Sequence, residues 1–331
     1  MSERERDNEV RYRGDRAERG HVESHFLKAT SPDGKRAVWL KHTILSERGA
    51  PERATAQLWA IAFDRRGDRP RAVGAKRVVP IAEARFIATP FSSEVAGGRL
   101  DSTSSRGEVE GVRWDLRWTP HAAPFHLFPL ERLYTARFPK QKQLCPTPDA
   151  TFGGWVEVAA ERWEIDGWPG MQGHNWGVGN SDAYVWAQCN AWSDATPGTW
   201  FEGATARLRL GPVMTPWLSV MSLHSNGQLY RFDHPRAVFS RAVEVALYRW
   251  RFTAKQGPFT LEGHIHAQRE DLAGLVYDNP AGPPTFCLNS KLAHGTLVLR
   301  RGKRRLVELS TDRFALELGT KDPSHGVPML A

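Results

Sequence analysis

The chain has 331 residues and a formal net charge of +8, with 40% hydrophobic and 25% charged residues. That balance fits a globular protein of one large or two ordinary domains, and the lack of any run of about 18 apolar residues excludes a transmembrane helix. The arginines are scattered among apolar residues, as in VRWDLRWT (112–119), so they read as solvated strand faces rather than a nucleic-acid footprint, leaving room for weak contact with anionic membrane surfaces.

The first twenty residues, MSERERDNEVRYRGDRAERG, are charged and contain no apolar core of a secretory signal, so residues 1–20 read as a mobile tail and the location as cytoplasmic. Strand candidates follow at RAVWLKHTIL (36–45) and TAQLWAIAFD (55–64), separated by turn signals such as SPDGK (31–35) and RRGDRP (65–70). Val112, Trp114, Leu116 and Trp118 alternate with Arg113, Asp115 and Arg117, the period of a half-buried strand. FPKQKQLCPTPDATFGG (138–154) is polar and carries three prolines, so it reads as a boundary between β domains at 21–145 and 146–331. Beyond it come WVEVAAERWEI, AYVWAQCNAW, TWFEGATARLRL, WLSVMSLH, alternating segments around Trp250 and Leu261, and FALEL. Residues 37–45 and 55–64 share a rough look with 183–192 and 199–210, which suggests a repeat. Convincing amphipathic helices are scarce, so the expected class is all-β, antiparallel barrels or sandwiches. The three cysteines, Cys145, Cys189 and Cys287, are far apart and read as small buried hydrophobes.

The segment QGHNWGVG (172–179) sets His174 and Trp176 among glycines, which reads as a shaped loop. Its spacing misses a phosphate-binding glycine pattern. In an extended chain residues i and i+2 share a side, so imidazole and indole would face one space with Asn175 turned away. His174 then reads either as an acid–base group or as a loop-fixing hydrogen-bond partner. Thirteen tryptophans fit core filling or an aromatic-lined cavity for a long apolar ligand or a carbocation. Glu202 in WFEGA and Glu157 in WVEVA sit among apolar residues, where a carboxyl becomes a weaker acid able to donate a proton. Such a pair also fits a glycoside hydrolase. Glu262, His264 and His266, with His224, offer a metal set, but same-face histidines on a polar strand are ordinary, so no metal is expected.

The stretch GMQGHNWGVGNSDAYVWAQCNAW (170–192), followed by FEGATARLRLGP (201–212), resembles the tocopherol cyclase and carotenoid 1,2-hydratase superfamily with its HNWG signature. ESHFLKATSPDGKRAVWLKHTIL (23–45) and VYDNPAGPPTFCLNSKLAHGTLVL (276–299) support the likeness. The resemblance implies two lipocalin-like β domains with a ligand cavity and lipophilic, often isoprenoid, substrates. Relatives protonate a carbon–carbon double bond and let water or an internal hydroxyl capture the cation; others are lipid binders without known chemistry. It assigns catalysis to His174 and Trp176. The hydratases' downstream Tyr and Asp have no match here, where the strand reads AQCNAW with Cys189 and Asn190, which leans the chain toward the cyclase side. The combined expectation is cofactor-free chemistry with His174 or Glu202 as proton source, Trp176 steadying a cation and Asn190 orienting a hydroxyl. Trp186, Trp192, Trp200, Trp217, His224 and Asn279 would line the ligand site. The alternatives are a non-catalytic lipid carrier with the same pocket and a carbohydrate-active β protein.

Overall fold

In the computed structural model, which describes residues 1–14, 18–66, 71–238 and 242–331, the alternating segments form two large antiparallel sheets. The first has twelve strands. From one edge it runs Arg71–Pro80, Ala50–Asp64, Arg36–Glu47, His21–Thr30, Glu161–Gly177, Gln141–Val158 and Val112–Pro120, then four short strands ending at Arg85–Ile87. The second has ten, running Gln228–Phe232, Leu218–Ser225, Trp200–Arg207, Ala183–Cys189, Arg304–Thr320, Thr285–Arg301, Phe259–His266 and onward to Val243–Ala246. The all-β expectation holds. No helix among the described residues is long and apolar enough to cross a membrane.

The two sheets share one strand order. In each, the first strand pairs with the last long strand, whose long hairpin partner lies beyond it. By this order His21–Thr30 matches Ala183–Cys189, so the repeat runs one strand earlier than the likeness of 37–45 to 183–192 suggests.

Period-two alternation sorts each strand between two cores. On His21–Thr30, Leu27 and Ala29 face the interior of the first sheet, with Leu40, Leu58 and Trp114. Phe26 faces the other way, into a core between the sheets that also holds Trp39, Trp59, Trp186, Trp200 and Tyr277. The second sheet encloses its own core around Phe201, Trp250 and Phe314. All three cysteines are free and buried.

Three sequence expectations change. The polar stretch 138–154 is not a boundary: most of it lies in the Gln141–Val158 strand of the first sheet. Pro146 and Pro148 cannot donate to a ladder, and the strand accommodates them with register shifts between Leu144 and Ala150, the usual place for proline in a sheet. The chain passes between sheets at 178–182 instead. The N-terminal residues are packed rather than mobile over 1–14. Ser2 accepts a hydrogen bond from the Glu5 amide to start the helix Glu3–Asn8. Glu5 accepts from the Phe91 amide and the Ser102 hydroxyl, both at 2.6 Å, and Arg4 donates to the Ala122 carbonyl at 2.9 Å. Of the turn signal at 65–70, residues 67–70 lie outside the described residues. Finally, QGHNWGVG is mostly strand, the end of Glu161–Gly177. Its glycines serve close approach: a Cβ at Gly173 would lie 2.3 Å from the Phe26 ring, and one at Gly177 2.1 Å from the Lys140 carbonyl oxygen. Gly179, at φ +144°, turns the chain afterwards.

Candidate functional site

A cavity of about 540 Å³ lies between the sheets, rather than inside either one. Its size is in the range of small-molecule sites. The first sheet contributes Phe26, Trp39, Lys41 and Trp59; the second contributes Tyr184, Trp186, Val220 and Glu317. Residues of the 127–140 segment cover one side, where Leu130 and Phe138 line the cavity while remaining 45% and 50% exposed, which marks an apolar entrance. Trp59 donates to the Gln57 amide oxygen at 3.2 Å. Glu317 accepts from Lys291 at 2.8 Å and from Asn289 at 3.1 Å. Lys41 is buried, with its Nζ 3.8 Å from the centre of the Tyr277 ring and just over 5 Å from those of Trp39 and Trp59. Burial draws its amine down to about 8.

Glu202 is fully buried one layer behind this wall. Its Oε1 accepts from the Trp186 indole at 3.2 Å and from Gln143 at 3.1 Å, and both donors line the cavity. Its Oε2 has no partner among the described residues. Burial pushes the Glu202 carboxyl above the usual carboxylate range, against the hydrogen bonds from Trp186 and Gln143 and the neighbouring Cys145 thiol. The result is an acid group held toward its neutral form behind an indole that forms the wall.

His174 and Trp176 do share a face, with ring centres 4.9 Å apart. That face is the wrong one for the cavity: Asn175, not His174, lines it. His174 points into the interior of the first sheet, where the N-terminal segment covers it. Its Nδ1 bonds the Asp7 carbonyl at 2.5 Å and its Nε2 bonds Glu23 Oε1 at 2.8 Å. Both partners are acceptors, so the ring satisfies both only with a hydrogen on each nitrogen. Glu23 also accepts from His21 and from the amides of Arg11 and Tyr12, all within 2.8 Å. Burial alone would push the Glu23 carboxyl up, but these bonds hold it well below its usual range. His25 stacks on His174 at 3.9 Å and bonds the Asn8 carbonyl at 2.9 Å. Burial, then the neighbouring His174, drives the His25 ring well below the ordinary histidine value. Glu23, His25 and His174 are close enough to converge on an ion, yet they would have to give up these bonds to do so. The cluster fastens residues 7–12 over the sheet end.

Most other expected site residues also lie outside the cavity lining. Asn190 joins the sheets: its amide donates to Asp149 and to the Gly170 carbonyl, both at 2.8 Å, and its oxygen accepts from Lys28 at 3.4 Å. Trp192 donates to the Thr199 carbonyl at 2.9 Å and packs on Phe314 in the second core. Trp200 stacks near Phe125 and His224, and His224 bonds the Gly198 carbonyl at 2.7 Å. Trp217 lies under Arg207. Asn279 clamps the loop beside Asn180, whose amide donates to it at 2.8 Å. None of these six lines the cavity; Trp186 does. Glu157 is ion-paired with Arg113 at 3.6 Å on the first sheet, and neither it nor Glu202 is among the residues that line the cavity. His264, His266 and His294 stack in a row without forming a ligand cluster with Glu262 or His224. The sequence reading missed Lys41, Trp39, Trp59, Tyr184 and Glu317.

Comparison with known proteins fits this architecture. A model of the tocopherol cyclase-like family matches residues 84–320. Two uncharacterized Mycobacterium tuberculosis proteins, from strains CDC 1551 / Oshkosh and ATCC 25618 / H37Rv, are each 24% identical over 319 residues, 92% of this chain and 89% of theirs. A chloroplastic protein of Oryza sativa subsp. japonica, named a probable tocopherol cyclase, is 31% identical over 80 residues, 24% of this chain and 17% of that one. Two crystal structures share the fold at TM-score 0.51. One is a protein of Nitrosomonas europaea proposed to be an AttH, at 13% identity, covering 90% of this chain and 92% of its own. The other is kievitone hydratase from Nectria haematococca, at 10% identity, covering 94% and 93%. The family match takes in strands of both sheets and the second-sheet wall of the cavity, while Phe26, Trp39, Lys41 and Trp59 precede it; it spans well over half of the chain, and the chain belongs to the tocopherol cyclase-like family.

Proposed function

We propose that the protein takes a lipophilic, isoprenoid-like molecule into the cavity between its sheets and converts it by proton-initiated cyclisation or hydration. The observation that carries this reading is the fully buried Glu202 carboxyl hydrogen-bonded to the indole of a wall residue, Trp186, where burial makes it a weaker acid than usual. In this scheme Glu202 is the proton source, reached when Trp186 or Gln143 gives way. The Trp186 face beside Glu202 then steadies a cation, as indoles do, and exclusion of bulk water protects it. The acid of the side chains supplies the chemistry, so no cofactor enters the scheme. The apolar entrance at Leu130 and Phe138 suits a ligand delivered from a lipid surface. Membership of the tocopherol cyclase-like family supports the reaction class.

One observation favours the second reading, a lipid carrier without turnover: Glu202 sits behind the wall rather than in it. Incubation with prenylated hydroquinones and acyclic terpenoids in deuterated water separates the two. Turnover yields a cyclised or hydrated product with one carbon-bound deuterium. Glu202→Gln, which keeps an acceptor for Trp186 and Gln143, is expected to lower its rate by roughly 10²- to 10⁴-fold, the usual weight of a general acid. Undiminished turnover in Glu202→Gln would remove Glu202 from the mechanism, and co-purified but unchanged ligand would establish the carrier.

A further inference from the structure

We propose that Lys41 anchors the acidic head of the ligand, so that the cavity takes a molecule with one ionisable oxygen, a carboxylate or an acidic phenol, on an apolar body. The inference rests on the cavity being a ligand site and adds the class of molecule it holds.

The argument is one of charge and hydrogen-bond accounting. The other charged groups of the lining have partners: Glu317 is held by Lys291 and Asn289, Asp233 by Arg231 at 2.5 Å, and Asp278 faces Lys76 at 3.7 Å. Lys140 is exposed at the entrance. Lys41 differs. It is buried, it faces the cavity, and among the described residues its ammonium makes no hydrogen bond or ion pair. What surrounds it is aromatic, the rings of Tyr277, Trp59 and Trp39. Ring faces attract a cation but accept none of its three N–H groups in the manner of an oxygen. A buried ammonium without acceptors is costly, and a cavity for wholly neutral lipids gains nothing from it. An anionic oxygen placed there would meet three donors inside an aromatic collar. The titratable groups acting on Lys41 are Glu317, Cys287, Lys76 and Lys291. Of these, Glu317 pairs with Lys291 and Lys76 with Asp278, which leaves Lys41 as the cation of the set without a carboxylate partner among the described residues. With its amine at about 8, Lys41 is still mostly ammonium at neutral pH.

The position also orients the ligand. Lys41 lies on one side of the Trp39 ring. Lys291 sits over both Trp39 and Trp186, and the Trp186 indole nitrogen bonds Glu202. A head held at Lys41 therefore leaves the apolar body to run toward Trp186.

The test uses the full chain at pH 7 and two pairs of probes: oleic acid with methyl oleate, and geranylated hydroquinone with its dimethyl ether. Affinities are read from tryptophan quenching. The acidic member of at least one pair is expected to bind roughly tenfold or more tighter than its neutral twin, the weight of a charge-assisted hydrogen bond. Lys41→Met should bring that preference near unity while keeping the neutral member's affinity, which doubles as the folding control. Should Lys41→Met lose both members, the preference must survive in Lys41→Arg and disappear in Lys41→Gln. A preference in the oleate pair identifies a carboxylate head, and one confined to the hydroquinone pair a phenolic head. Neutral probes that bind with no preference for acids, or a preference unchanged in Lys41→Met, overturn the anchor and leave the cavity reading standing. Failure of all four probes to bind overturns both.

Discussion

Replacing His174 by Ala tests what the HNWG segment is for. In this fold the substitution leaves the Glu23 carboxylate fully buried with one strong donor fewer and frees the Asp7 carbonyl. Breaking a buried charged pair from one side typically costs about 3–5 kcal/mol, because the remaining charge keeps its desolvation penalty. Unfolding entropy near 2.1 cal/mol/K per residue gives about 0.7 kcal/mol/K for a chain of 331 residues unfolding as one unit. The expected fall in Tm is then roughly 4–7 °C, and larger if the first sheet unfolds alone. His174→Gln can still donate to Glu23, though without charge, and should fall between. Urea unfolding and calorimetry measure the loss, while turnover or probe affinity per folded molecule is followed in parallel at a temperature where both variants are folded. The geometry expects a large stability loss with near-normal cavity function. A His174→Ala protein that keeps the wild-type Tm but loses turnover would refute the separation of His174 from the cavity.

Two further outcomes follow from buried groups near the same strands. His42 bonds Ser93 at 2.7 Å, and burial draws its ring from 6.5 down to about 3. The unfolded chain therefore takes up a proton at His42 between these values while the native state does not, so stability is full above pH 6.5 and falls as pH drops through the window. The contribution is about 1.4 kcal/mol per pH unit; urea titrations from pH 6.5 to 4.5 should show that slope reduced by this amount in His42→Gln, and an unchanged slope would count against a neutral buried ring. Gly177→Ala would press a Cβ against the Lys140 carbonyl at 2.1 Å, and crowding of this kind commonly costs about 1–3 kcal/mol. Gly179→Ala meets only ordinary contacts, Asn279 Oδ1 at 3.5 Å, and suffers the backbone penalty of φ +144° instead, so a Gly177→Ala unfolding midpoint equal to that of the unsubstituted protein would contradict the close-approach account.

Strand content was readable because its signal is local: alternation within Val112–Pro120 needs nothing beyond that strand's own nine residues. The N-terminal helix also had a local signal, Ser2 followed by Glu5 three residues on, the pattern of a helix-capping pair, hidden by the charge of the segment. What sequence could not supply is which face of a strand another sheet will cover. Lys41 alternates with Leu40 and His42, so it reads as a solvent-side residue; it is buried because a second sheet, some 150 residues away in sequence, closes over that side. The same ambiguity misled the reading of QGHNWGVG. Glycines next to large rings suggest a bend when only the segment is in view, but they also suit a flat strand against which Phe26 and the Lys140 carbonyl pack closely. The i and i+2 rule correctly put His174 and Trp176 on one side and Asn175 on the other; choosing which side held the cavity required the partner sheet. Glu202 survived as a candidate because its argument depended only on burial. A carboxyl surrounded by apolar residues is pushed toward its neutral form whichever elements bury it, and in WFEGATA the surroundings are apolar on both faces. Glu157 in WVEVA carried the same argument and yet pairs with Arg113 at a partly exposed position, so composition around a side chain carried through only where a second surface covered it. By the same logic the function of Lys41 is a property of the sheet pair: a variant that loosens the packing between sheets should relieve its burial and let its amine titrate closer to an ordinary lysine, with no change to residue 41 itself.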